Sequence, residues 1–228
     1  MNITELLGDD AANFTANIAS ALDTSATSLV PSTDPTVVAG YKAIYNATAQ
    51  LLDTPVGQVE ILLSLTGVGG DPSNTIAIQA ALQHPFSQGR LWLSSADPFD
   101  APSIDPNYGS HSADIVMLRE GLKLARKIAA TEPLSSAIIS ELSPGTSVQT
   151  DDDWDAFAEK TYGTEFHPSC SCAMLPLDQG GVVDANLKVY GLGRSILSFL
   201  SGTSADNVVQ RTSVLLMLRC SRSSSLLT

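Results

Sequence analysis

The stretch Phe166-His167-Pro168-Ser169-Cys170-Ser171-Cys172-Ala173-Met174-Leu175-Pro176, continued by Gly180-Gly181-Val182-Val183-Asp184 and Leu187-Lys188-Val189-Tyr190-Gly191, decides how this chain is read. A lone histidine before a proline says little. Here it is followed by a run of small residues, a methionine, a Gly-Gly-Val-Val-Asp turn and a Lys-Val-Tyr-Gly segment of strand character. The small residues are read as packing beneath the imidazole. Imidazole suits proton transfer near neutrality because its ordinary pKa is about 6.5. A metal is not expected, since H-x-x-C-x-C lacks the second ligand pair of a zinc knuckle or ribbon. Cys170 and Cys172 stand too close for an ordinary structural disulfide, and Cys220 lies in the tail.

Working outward, 228 residues suffice for one good core, or one domain with appendages. Hydrophobic residues make up 43% and charged residues 16%, a globular balance. The net charge of -12 and pI of about 4.4 argue against nucleic acid or an anionic membrane as partner. No apolar run approaches the roughly 18 residues that span a bilayer. The opening Met1-Asn2-Ile3-Thr4-Glu5 is not a basic, apolar leader, so no signal peptide is expected within the chain. Asn2-Ile3-Thr4, Asn13-Phe14-Thr15 and Asn46-Ala47-Thr48 are candidate glycosylation acceptors. They lead to the expectation of an extracellular parent whose leader lies upstream.

The first 53 residues alternate helical patches around a break at Ser32-Thr33-Asp34-Pro35-Thr36. From Val37 to Leu52, Val38, Tyr41, Ile44, Tyr45, Ala49 and Leu52 fall on one helical face. Val59–Leu65 reads as a strand ending at Gly67-Val68-Gly69-Gly70. That turn is read as a plain loop, because Asp71-Pro72-Ser73 follows where a dinucleotide fingerprint needs its third glycine and a helix. Arg90–Leu93 reads as a strand and Ser94–Tyr108 as a Pro/Asp-rich loop, with His84 a turn residue. Ser112–Thr131 gives the clearest helix, with Ile115, Leu118, Leu122, Ala125 and Ala129 as its stripe and Ser112 as its cap. Arg119, Glu120 and Lys123 are assigned to a solvated face. Asp151-Asp152-Asp153-Trp154 starts a second helix, where negative charge suits the helix dipole better than a divalent-metal site would explain it.

After Gly191 the character changes. Residues 191–228 hold nine serines, and four arginines against one aspartate give a net +3; residues 1–190 carry eight basic and 23 acidic groups, a net -15. This tail is expected to be largely disordered.

The ordered set from His167 to Gly191 resembles the C-terminal signature of the glucose–methanol–choline family of flavin-dependent alcohol oxidoreductases, especially its fungal glucose-oxidase-like and aryl-alcohol-oxidase-like branches. His84-Pro85-Phe86-Ser87-Gln88-Gly89, Ser95-Ala96-Asp97-Pro98 and Ile104-Asp105-Pro106-Asn107-Tyr108 match the same family. The resemblance implies an α+β fold, a mostly antiparallel sheet with helices packed on one face, without the family's FAD-binding Rossmann part. It divides the chain into a helical lid or cap segment (1–58), the substrate domain with the histidine motif (59–191) and an atypical tail (192–228). It implies His167 as the base that takes the hydroxyl proton of a small alcohol or sugar, and FAD as hydride acceptor, with no cofactor-binding residue assigned. Cys170 and Ser171 stand where the family's pattern has Gly-Thr. A second catalytic His or Asn would fall near Asn207–Gln210, but Asp206 and Val208-Val209 do not reproduce its surroundings, so Asn207 receives no role.

The expected function is therefore FAD-dependent oxidation of a CH–OH donor, by a chain that is inactive alone. A non-catalytic carbohydrate- or partner-binding module is the alternative. A Ser or Cys hydrolase ranks last because no Gly-x-Ser-x-Gly elbow occurs. The oligomeric state is not legible in the sequence.

Overall fold

The computed structural model describes residues 1–65, 74–167 and 172–192 and the backbone of 212–220. Gly67–Gly70, Pro168–Ser171 and Asn207, all discussed above, lie outside the described residues.

Three helices open the chain: α1 (Ile3–Leu7), α2 (Ala11–Leu29) and α3 (Pro35–Leu52). Helix α3 starts two residues before the apolar stripe predicts. Asp34 caps it, accepting the Thr36 N–H at 2.8 Å, and Pro35 fills the first helical position, where no N–H is needed. The predicted face is the buried one, with Tyr41, Ile44, Tyr45 and Leu52 inside.

Strands β1 (Val59–Ser64), β2 (Thr75–Leu82), β7 (Thr212–Cys220) and β5 (Ile138–Ser143) form one sheet in the order β1-β2-β7-β5, and β6 (Gly163–Thr164) pairs with β7. Every one of these pairings is antiparallel. A separate two-stranded ribbon joins β3 (Arg90–Trp92) to β4 (Ser103–Asp105). Helix α4 (Ser112–Ala129) packs on β1, β2 and β7, and α5 (Asp151–Thr161) packs on α4. The architecture is the expected α+β one.

Several expectations are corrected. The tail also contributes to the sheet: residues 212–220 form β7 at its centre, paired with β2 from Thr75↔Arg219 to Ala81↔Ser213. Composition over the whole tail hides the run Val214-Leu215-Leu216-Met217-Leu218, long enough for a strand by itself. Ser103–Asp105 is a strand rather than loop. The cap of α4 is His111 and not Ser112: the His111 Nδ1 accepts the Ala113 N–H at 3.2 Å, while Ser112 takes the first helical position. Arg119 and Lys123 do not cover a solvated face. They form an ion-paired seam with α5, Arg119 to Asp155 at 2.9 Å and Lys123 to Asp151 at 2.6 Å. The aspartate run does start α5, where Thr150 and Asp153 make a reciprocal capping box.

One buried cluster takes Ile3, Ile18, Tyr41, Tyr45 and Leu52 from the opening helices, Val59, Ala80, Leu82 and Phe86 from the sheet side, and Met117, Leu118, Leu122 and Trp154 from α4 and α5. Full burial of a Leu, Val or Phe stabilises by roughly 1.5–3 kcal/mol, so the opening helices are part of the core rather than an appendage.

Candidate functional site

Helix α5 ends at Thr161, the chain pairs antiparallel with the end of β7 through Gly163↔Ser213 and Thr164↔Thr212, and it then turns sharply. The turn is made at Phe166, whose φ is +62°, and the Phe166 N–H is held by the Thr164 Oγ1 at 2.9 Å. A bulky aromatic residue in the left-handed region is uncommon and costs about 1–3 kcal/mol. The result is that Phe166, 83% exposed, and His167, also exposed, stand out from the sheet edge together.

The downstream half is a hydrogen-bonded clasp. The Val182 N–H donates to the Ala173 carbonyl at 2.9 Å, and bridges join Met174 to Val183 and Val183 to Val189. The Lys188–Gly191 segment thus contributes a bridge rather than a full strand. Val183 is buried, and the Tyr190 hydroxyl donates to the Leu175 carbonyl at 3.2 Å. One Asp184 carboxylate oxygen accepts the N–H groups of Asn186 and Lys188, at 2.8 and 2.9 Å. This explains the motif Gly-Gly-Val-Val-Asp in physical terms: a small residue for close approach, an apolar plug, and an acceptor that closes the loop.

Two glycines fix where the clasp sits. A Cβ on Gly181 would stand 1.7 Å from the Leu175 carbonyl oxygen, and one on Gly40 of α3 would stand 2.6 Å from the Gln179 carbonyl oxygen. Only glycine at each position lets the segments pack at this distance. The clasp therefore leans on α3. Cys172 is an exposed free thiol.

Sequence reasoning missed a second group of chemistry-bearing residues. His111 is buried, and its Nε2 lies 3.2 Å from both the Ser25 Oγ and the Tyr45 Oη; the Tyr45 hydroxyl donates to the Ile18 carbonyl at 2.9 Å. Because Nδ1 accepts from Ala113, the neutral ring carries its proton on Nε2. Burial pushes its pKa below the ordinary value. Asp114, also buried, accepts the N–H groups of Phe86 and Ser87, both at 2.8 Å. Burial raises its pKa to about 6, and hydrogen bonds from Ser87 and Phe86 oppose the rise. These groups tie α2, α3, α4 and the turn after β2 together. No periodicity or motif marks them, because their neighbours are distant in sequence.

A family model described as GMC oxidoreductase matches residues 85–194, which include Asp114, His167, Gly181 and Asp184. The chain belongs to the GMC oxidoreductase family. The GMC oxidoreductase family protein Mala s 12 of Malassezia sympodialis is 48% identical over 158 residues, 69% of this chain and 25% of that protein. Human mitochondrial choline dehydrogenase is 43% identical over 107 residues, 46% of this chain and 18% of that protein. Two solved structures share the fold over 84% of this chain and 32% of theirs. An FAD-dependent oxidoreductase from Chaetomium thermophilum has a TM-score of 0.73 at 27% identity, and a fungal aryl-alcohol oxidase has 0.70 at 30%. The chain thus spans about a third or less of the relatives it matches. No helix among the described residues is long and apolar enough to cross a membrane.

Proposed function

We propose that this chain is the substrate-side portion of an FAD-dependent oxidoreductase acting on the CH–OH group of a small alcohol or sugar. The observation that carries the reading is that His167 is exposed directly after the strained turn at Phe166, in the chain order of the GMC motif. An alcohol is too weak an acid to ionise near neutral pH, so a base must take its proton as hydride leaves carbon. His167 is that base, and Phe166 beside it supplies apolar surface against the substrate's carbon skeleton.

FAD, when bound, supplies the hydride acceptor. The described residues fit only one side of such a site. They offer His167 and Phe166, but every strand pairing among them is antiparallel apart from the isolated Met174–Val183 bridge, so they contain no βαβ phosphate cradle. Turnover accordingly requires the part of the family fold that binds the dinucleotide. The exposed Leu93 and Phe99 of the β3–β4 ribbon, 80% and 95% accessible, and Phe166 are the surface we assign to that contact. The three Asn-x-Thr sites support an extracellular parent protein.

The test is spectroscopic. The purified chain and a chimera, in which it replaces the matching segment of the Malassezia relative, are each mixed with FAD and passed over a desalting column. Retention of flavin absorbance by the chimera alone supports the reading. Flavin bound by the isolated chain, with alcohol turnover, contradicts its incompleteness. Absence of flavin in both, with a folded chimera, favours the non-catalytic binding module.

A further inference from the structure

We infer that Asn13 carries an N-linked glycan whose first sugar lies in a cleft between the opening helices and the α4–α5 seam. The three Asn-x-Thr sites are alike in sequence and differ in surroundings. Asn2 is engaged in a capping box, its Oδ1 accepting the Glu5 N–H at 2.9 Å while Glu5 reaches back to the Asn2 N–H. Asn46 is exposed on the outward face of α3, one turn from Lys42 and Gln50. Asn13, near the start of α2, is exposed and also lines a cleft of about 350 Å³.

The lining of this cleft suits a sugar. Leu7, Phe14 and Val116 give apolar surface, while Asn17 and the ion-paired Arg119 and Asp151 give polar surface. A pyranose presents the same two faces, an apolar C–H face and a rim of hydroxyl and acetamide groups. The volume is at the small end of the ligand-site range of roughly 300–1,000 Å³, enough for a proximal sugar but not for a branched glycan. The acceptor asparagine and the aromatic Phe14 belong to the same sequon, so attachment and packing are coupled. The contacts exist only in the folded chain, and they therefore stabilise it. This inference rests on the extracellular reading and is independent of the catalytic one.

The full 228-residue chain, secreted from yeast behind a cleavable leader, allows the test. Glycopeptide mapping with isotopic labelling at deglycosylation identifies the occupied asparagines, and thermal unfolding is followed before and after enzymatic removal under native conditions. We expect Asn13 to be occupied and its stripping to lower Tm by about 2–4 °C. Thr15→Ala should show the same loss and no further response to the glycosidase, whereas Thr15→Ser keeps the sequon and the stability. Asn46→Gln should leave the shift unchanged. Occupancy at Asn46 with a bare Asn13 overturns this inference and leaves the extracellular reading standing. A glycan at Asn13 that can be stripped without changing Tm also overturns it, as do three bare asparagines.

Discussion

Gly181 packs so closely on Leu175 that a Cβ at position 181 would lie 1.7 Å from the Leu175 carbonyl oxygen. Backbone meets backbone there, so neither side can yield by changing a rotamer. Gly181→Ala should force the clasp open and cost at least about 1–3 kcal/mol. Urea unfolding gives the stability. In the flavin-loaded chimera the same variant should lower kcat, because the clasp that follows His167 in the chain is disturbed.

His111 and Asp114 predict opposite responses to acid. The fold holds His111 neutral, so the unfolded chain takes up that proton more readily; stability present in full above about pH 6.5 declines as pH falls through that value. Asp114 has a folded pKa of about 6 against 3.8, so the folded chain takes up a proton that the unfolded chain does not, and stability rises as pH falls from about 6 toward 3.8. His111→Asn keeps a capping acceptor and should gain on the wild type between about pH 7.5 and pH 5. Asp114→Asn should fall behind it over the lower part of the same range. Denaturation midpoints across that range, measured for both variants, check the two signs.

Arg126 is a third fixed point. It makes a two-pronged pair with Glu141 at 2.8 and 2.6 Å, donates to the Val148 carbonyl at 2.6 Å, and lies 4.1 Å over the Trp154 ring. Lysine keeps the charge but cannot reproduce the fork or the stacking. Arg126→Lys should therefore cost about 1–3 kcal/mol, read as a lower urea midpoint with an unchanged slope.

The helices that stand on an apolar stripe were legible in sequence: α3 from Val38, Tyr41, Ile44 and Tyr45, α4 from Ile115, Leu118 and Leu122. So was α5, because three aspartates at a helix start have a local reason. The clasp was legible through its motif, and the structure adds why Gly181 and Asp184 are needed there. What sequence could not give were long-range placements. Nothing local says that 212–220 would pair between β2 and β5, since a strand's partner lies outside its own sequence. The His111 network was equally hidden, as Ser25, Tyr45 and His111 meet across 86 residues of chain. Arg119 and Lys123 looked solvated because the reading of α4 did not include α5 as its neighbour.

The most direct measurement is anaerobic flavin reduction in the flavin-loaded chimera, followed by stopped-flow absorbance with a panel of primary alcohols, for His167 and His167→Ala. The account predicts bleaching of the flavin by at least one alcohol. It predicts a rate constant lower by about 10²–10⁴-fold in His167→Ala with flavin still bound. Equal rates for the two proteins would contradict the assignment of His167 as the base.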